Sequence, residues 1–198
     1  MPPEAVYADI GDLKAEYSIT DIDRDELLTE ALEAASRYVD RACGRRFWLD
    51  GIAAARRFSP LRNVVSDGDG THLLINDIGS LDGLVVEIGT GSSWTDVTDS
   101  VETEPLNALD DEQPITSLLR GAWPCGGGQR VRVTARWGWP AVPAPVRVAT
   151  LRQASRLFKR KDSPDGITGS AEWGIVRVSR VDPDVAALLR PYVLPGLG

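Results

Sequence analysis

The hydrophobic period of this 198-residue chain changes twice, and this limits what it can fold into. Residues 23–43 place apolar side chains at a 4-3-4-3 spacing that keeps them on one helical face: Leu28, Leu32, Ala35, Val39 and Ala42. From Arg56 to Trp139 this period disappears, and short β-type runs recur between turn residues. A helical spacing returns at Val146 and continues to Phe158. The sequence therefore predicts helices on both sides of an antiparallel sheet.

The boundaries of the helices and strands follow from turn and cap residues. Gly44 is a typical helix C-cap, and a shorter helix over 12–17 precedes the long one. Residues 125–129 have the composition of a hairpin loop leading into a strand. The predicted strands are 73–76, 84–89, 93–97, 115–119 and 130–137.

In the C-terminal part, Ile175, Arg177 and Ser179 alternate with Val176, Val178 and Arg180. This alternation predicts a short strand over 175–180. Asp182 followed by Pro183 predicts a helix start, and Pro191 ends that helix after Leu189. We therefore predict an α+β protein: a small helical bundle core with an inserted antiparallel β domain and a C-terminal strand, short helix and tail. The predicted divisions are an N-terminal helical part (1–55), the β insert (56–139), the second long helix (140–162) and a C-terminal docking segment (163–198).

Charge is strongly segregated along the chain. The net charge is -7, and residues 64–116 hold twelve acids and no lysine or arginine, whereas 117–198 hold thirteen bases and five acids. An acidic chain is poorly suited to wrapping DNA, so we expect no tight sequence-independent DNA binding. The basic stretch could contact phosphates, and an equally physical use of opposite charge on two segments is contact between copies of the chain, weakened by salt. The bases expected to make such inter-subunit contacts are Arg147, Arg152, Arg156, Lys159 and Arg160.

The sequence contains no recognisable catalytic or metal-binding motif. Its only histidine, His72, lies beside Asp67 and Asp69 in a predicted solvent-facing turn, and the other ligands of a calcium loop are missing. Cys43 and Cys125 are 82 positions apart and suggest neither a disulfide framework nor a zinc site. We therefore expect no enzyme activity, metal or cofactor. The N-terminus lacks signal-peptide character and no apolar run is long enough to span a bilayer, so we expect synthesis in a cytoplasm and no membrane contact.

Besides a structural role, which is the first hypothesis, two functional classes remain open. A β-rich module could recognise a carbohydrate or host surface with indole platforms at Trp94, Trp123 and Trp139. For Trp137 and Trp139 the alternative is packing of the sheet against the second helix. A hydrolase built on His72 with Asp67 and Asp69 is the third hypothesis.

The order and spacing of several segments resemble the head-to-tail connector (adaptor, head-completion) proteins of tailed bacteriophages, most closely versions from phages of actinobacteria. The resemblance covers most of the chain. The segments that carry it are 12–17, 19–21, 34–39, Gly44-Arg45-Arg46-Phe47, Gly138-Trp139-Pro140, 142–143, 146–151, 157–160, 176–177, 182–185 and 188–192. The β insert is longer than in the minimal helical members of that family.

The resemblance implies a non-enzymatic virion protein at the head–tail interface. Similar proteins form a ring, usually twelve-fold, below the portal protein, extend the DNA channel and seat a stopper or tail-completion protein. They use C-terminal segments to engage the portal or a neighbouring subunit. We accordingly expect docking residues on the last helix, at Val185, Leu188, Leu189 and Tyr192. Because this helix has barely two turns and is bounded by prolines, we expect the segment from Val181 onward to lie outside the core.

Overall fold

The computed structural model describes residues 5–160 and 182–194, which form an α+β protein. The chain divides into a helical unit, taken from Met1–Arg46 and Val142–Gly198, and a β unit, Phe47–Ala141. The predicted strand over 175–180 lies outside the described residues.

The helical unit contains α1 (Ile10–Glu16), α2 (Asp25–Cys43), α4 (Ala144–Arg160) and α5 (Pro183–Leu189), the last followed by a 3₁₀ turn, Arg190–Tyr192. All four helices were expected from the sequence. Gly44 closes α2 in a left-handed conformation with φ 67°. Four of the five residues of the predicted stripe are buried, but Ala42 is exposed and Cys43 takes its place in the last turn. Leu28, Leu32 and Ala35 pack with Leu13 of α1 and Ala154 of α4.

The short helix α5 is part of this core, which corrects the expectation that the segment from 182 onward lies outside it. Val185 is fully buried and Leu189 is 2% exposed, and α5 packs against α4 and α2. Asp182 caps the helix by accepting hydrogen bonds from the backbone N–H groups of Asp184 and Val185. The cap and the two buried aliphatic side chains stabilise this two-turn helix, which would be too short to be stable in isolation.

The β unit is a sheet of seven strands. They are β1 (Ala54–Phe58), β2 (Val64–Ser66), β3 (Thr71–Thr90), β4 (Ser93–Asp96), β5 (Glu102–Glu104), β6 (Ile115–Arg120) and β7 (Arg130–Trp137). A four-residue helix, α3 (Pro60–Asn63), separates β1 from β2, and a 3₁₀ turn over Thr98–Ser100 precedes β5. The order is β1-β7-β3-β6-β5, while β2 and β4 also pair with β3, and every pairing is antiparallel.

The sheet contains three strands that the sequence did not predict, β1, β2 and β5, and it differs from the prediction in two further ways. The runs at 73–76 and 84–89 belong to one 20-residue strand, β3, whose register shifts at bulges between Leu74 and Val85. The loop at 125–129 is not a hairpin turn, because β6 and β7 lie on opposite sides of β3. The β-type runs were predicted correctly, but the order of the strands in the sheet cannot be predicted from local composition.

The core of the β unit is formed by alternating residues of β7 and the facing strands. Val131, Val133, Ala135 and Trp137 are fully buried, whereas the arginines between them point away from the core. Trp139 packs on Phe47 with ring centroids 5.1 Å apart, and its indole N–H donates to the Asp77 carboxylate at 3.0 Å. The turn between the two tryptophans requires glycine, because Gly138 has φ 115° and a Cβ there would lie 1.7 Å from the Trp48 carbonyl oxygen.

Candidate functional site

The bases of α4 were the first candidate contact surface, because this helix contains five bases and no acid. Three of them pair inside the helical unit. Arg147 lies 2.8 Å from Asp12 of α1, Arg152 pairs with Asp184 at 2.5 Å, and Arg156 pairs with Asp182 at 3.3 Å. The acids occupy the first turn of α1 and the start of α5, where the positive end of the helix dipole also stabilises a carboxylate.

Lys159 adds a fourth internal contact, with its ammonium 5.2 Å from the centroid of the Tyr17 ring. Three of the bases, Arg152, Arg156 and Lys159, line an open groove of about 480 Å³ along α4. Its other lining residues include Glu16, Asp182 and the aliphatic side chains of Val148 and Leu151. The groove therefore mixes both charge signs. Contacts of these bases with another subunit remain a prediction, and they would have to compete with the partners already present.

The predicted docking residues on α5 divide into two pairs. Val185 and Leu189 face the core, so they have no surface to offer a partner. Leu188 and Tyr192 are half-buried, and the following Val193 and Leu194 are exposed. The backbone N–H of Leu194 donates to the Cys43 carbonyl at 2.9 Å, which holds the end of the described chain against the end of α2.

His72 lies in β3 rather than in a solvent-facing turn, and its side chain is only 18% exposed. Its Nε2 atom is 3.0 Å from an Asp67 carboxylate oxygen. The pKa of Asp67 is lowered mainly by the backbone N–H of Asp69, with His72 contributing less. The Asp67 carboxylate thus caps its own turn, accepting also from Gly70 N at 3.2 Å. No cluster of possible metal ligands occurs in the part of the chain that the structure describes.

The carbohydrate-platform hypothesis requires exposed indoles, and two of its three tryptophans are buried. Trp123 is 4% exposed and donates its indole N–H to the Thr71 carbonyl at 2.9 Å, and Trp139 is 2% exposed. Burial of Trp137 and Trp139 agrees with a packing role. Of these three tryptophans only Trp94, on β4, is half-buried rather than buried.

Trp94 belongs to a charged cluster on the outer face of the sheet. The guanidinium carbon of Arg132 lies 4.3 Å from its ring centroid and that of Arg57 lies 5.5 Å away. Arg57 on β1 stands directly opposite Arg132 on β7, and Arg132 is in turn opposite Glu87 on β3. Two short hydrogen bonds, 2.6 and 2.5 Å, join Arg132 to the Glu87 carboxylate. They lower the pKa of Glu87 and raise that of Arg132.

The opposite edge of the same sheet is acidic. Between Asp96 and Glu112 the chain carries seven carboxylates and no lysine or arginine. Two of them, Glu102 and Glu104, belong to β5, which is the last strand in the sheet order. Thr103 between them is opposite the buried Leu118, so the two glutamates point to the outer face.

Sequence reasoning missed this pair of edges because it did not predict β1 or β5. Ala54–Phe58 has no clean alternation of apolar and polar residues, and Glu102–Glu104 is only three residues long. The available signal was the segregation of acids into 64–116 and of five bases into 45–63. That signal gives the sign of each charge but not its position in the sheet.

No helix in the described ranges is long and apolar enough to cross a membrane. No family model and no curated protein matches the sequence. The fold, in contrast, is similar to chains in solved particles. One, from the "Neck of empty GTA particle computed with C6 symmetry", has a TM-score of 0.56 at 15% identity, covering 97% of this chain and 92% of that one.

A second similar chain comes from the "Virion of native gene transfer agent (GTA) particle", with a TM-score of 0.54 at 17% identity. Here the similarity covers 98% of this chain and 95% of the other. At such low identities the likeness concerns the fold. The chain therefore has, over nearly its whole length, the fold of a protein found in a gene transfer agent particle.

Proposed function

We propose that this protein is a structural, non-enzymatic neck component of a phage-like virion, located at the head–tail interface. The observation that carries the proposal is the whole-chain fold similarity to a chain from the neck of a gene transfer agent particle, with both lengths covered by more than nine-tenths. A fold alone does not assign a function. Here it coincides with a separate resemblance of residue segments to head-to-tail connectors, including versions from phages of actinobacteria.

The proposed assembly is a ring that extends the DNA channel. The C6 symmetry of the similar neck supports a ring, and a twelve-fold arrangement below a portal is the form that the connector resemblance implies. The partners would be the portal protein on one side and a stopper or tail-completion protein on the other. Genomic DNA would pass without sequence-specific binding, in keeping with a net charge of -7.

The C-terminal residues are the proposed contact with the portal or a neighbouring subunit. Since Val185 and Leu189 are buried, this role falls to Leu188, Tyr192 and the exposed Val193 and Leu194. Exposed aliphatic side chains at the end of an ordered helix are suited to burial on contact with another protein.

The two other hypotheses have less support. A carbohydrate platform would rest on Trp94 alone, and the guanidinium groups of Arg57 and Arg132 already lie over its ring. A hydrolase would need a nucleophile next to His72, and no serine, threonine or cysteine side chain in the described ranges hydrogen-bonds to it.

The test is negative-stain electron microscopy of the purified chain mixed with the portal protein from the same particle. We expect rings seated coaxially on the portal. Replacing both Val193 and Leu194 by serine should reduce the fraction of decorated portals, whereas replacing the exposed Ile22 of the helical unit should not. Portals that remain bare at saturating protein would contradict the proposed function, and glycan-array binding would then favour the carbohydrate module.

A further inference from the structure

We infer that the two free edges of the β unit's sheet pair with each other between neighbouring copies, so that β1 of one copy lies beside β5 of the next. This inference rests on the proposed ring and specifies one of its subunit contacts. The occupant of each edge is therefore a second copy of this chain.

The first observation is that both strands are terminal. In the described sheet β1 pairs only with β7 and β5 only with β6, so each has one side without a strand neighbour. A terminal strand presents unpaired backbone N–H and C=O groups, which readily accept another strand.

The second observation is that the two edges carry opposite charge on the same outer face. Arg57 is exposed on β1, and it points outward because it is opposite Arg132 rather than opposite a core residue. Glu102 and Glu104 point outward on β5. Pairing of these edges would place an arginine beside glutamates, whereas two β1 edges or two β5 edges would bring like charges together.

The third observation is that Arg57 lacks an acid of its own. Like charges directly opposite each other destabilise a strand pair, and Arg57 faces Arg132, whose charge is already matched by Glu87. No ion pair to Arg57 occurs within the described ranges, where its guanidinium only stacks near Trp94. A carboxylate from β5 of another copy would supply the missing counter-charge.

Exposed aliphatic side chains flank both edges. Ile52, two residues before β1, is 80% exposed, and Leu106, two residues after β5, is 66% exposed. Each would lose contact with water in a pairing of the two strands, which adds an apolar contribution to the charge complementarity. The contact joins different surfaces of identical copies, and such heterologous contacts close into rings when the rotation per subunit permits.

The experiment measures self-association of the full chain by sedimentation velocity over a range of concentrations. We expect Arg57→Glu alone and Glu102→Arg alone each to weaken association by about tenfold, because each places like charges at the contact. Combining them in one chain should restore association. Mixing equal amounts of the two single variants should also restore it, since every contact between unlike copies is again complementary.

Matched controls carry the same charge changes elsewhere. Arg41→Glu and Glu30→Arg alter exposed residues of α2 in the helical unit, and we expect association close to that of the unchanged chain. Circular dichroism should show that all variants keep the native spectrum. These controls separate a local contact from an effect of net charge.

The outcomes are distinguishable. An oligomer that forms but ignores both single reversals, or is not restored by the double variant, overturns the edge pairing and leaves the proposed ring intact. If the reversals instead increase association, the edge charges keep strands apart and the inference is wrong. A chain that is monomeric at every concentration also overturns the inference, and the portal experiment then decides the proposed function separately.

Discussion

The helical unit and the β unit use their charges in opposite ways. In the helical unit the bases of α4 find acids on α1 and α5, and Lys14 pairs with Asp25 at 2.6 Å. In the β unit the carboxylates from Asp96 to Glu112 make no ion pair within the described residues, whereas Glu87 and Asp82 do. A block of like charge in the sequence therefore does not identify a free surface. The basic helix is largely matched internally, and the acidic edge is not.

Deletion of 182–194 and the residues after it should have the largest effect on the free energy of unfolding. It removes Val185 and Leu189 from the helical core and the acid partners of Arg152 and Arg156. Burial of two aliphatic side chains predicts a loss of about 4 kcal/mol or more in the free energy of unfolding. A segment outside the core, as expected from the sequence, would cost only about 1–2 kcal/mol, the scale of an ordinary substitution. Urea denaturation followed by far-ultraviolet circular dichroism measures the difference.

A matched pair of substitutions locates the effect within α5. Leu189→Ala should cost about 2–5 kcal/mol because its side chain is buried. Leu188→Ala, on the neighbouring half-buried position, should cost less than half as much. Equally small costs at both positions would show that α5 is a peripheral docking element and not part of the core.

In the β unit, the most sensitive position should be Gly138. Gly138→Ala combines a φ of 115° with a Cβ that would lie 1.7 Å from the Trp48 carbonyl oxygen, so the backbone must move. We expect a loss of about 3 kcal/mol, at the upper end of backbone strain effects. Gly121→Ala is the control, because no atom lies within 4 Å of its added Cβ. The stabilities come from denaturation monitored by tryptophan fluorescence, and a small difference between the two variants would show that the turn at 138 adapts easily.

The sequence predicted the elements of the helical unit better than those of the sheet, for a physical reason. The stripe on α2 and the Asp182-Pro183 cap are local patterns, and the structure confirms both, apart from the exposed Ala42 at the end of the stripe. Strand order, the joining of two runs into β3, and the short edges β1 and β5 depend on contacts between distant residues. The same limit applies to the sites. The bases of α4 were identified, but their pairing with Asp12, Asp182 and Asp184 required the tertiary structure.

The Glu87–Arg132 pair predicts acid sensitivity of the β unit. Hydrogen bonds from Arg132 hold the pKa of Glu87 below its ordinary value of 4.5. A carboxylate with a lowered pKa in the folded state stabilises the fold above its unfolded pKa, and this contribution is lost as the pH falls through the folded value. Glu87→Gln should therefore flatten the decline in stability below about pH 5. The test is the midpoint of urea unfolding against pH, and an unchanged pH dependence would show that other carboxylates dominate.

The two units should also differ in the reactivity of their cysteine thiols, an effect that involves no change in stability. Cys43 is buried at the end of α2, and burial raises its pKa to about 11, so its reactive thiolate is scarce near neutral pH. Cys125 is exposed in the loop before β7. An aromatic disulfide reagent should therefore modify Cys125 rapidly in the native protein and Cys43 only after unfolding. Cys125→Ser should remove the fast reaction and Cys43→Ser should leave it unchanged. Rapid modification of Cys43 in the Cys125→Ser variant would mean that the end of α2 opens in the native state, and that the hydrogen bond from Leu194 to the Cys43 carbonyl does not hold the chain there.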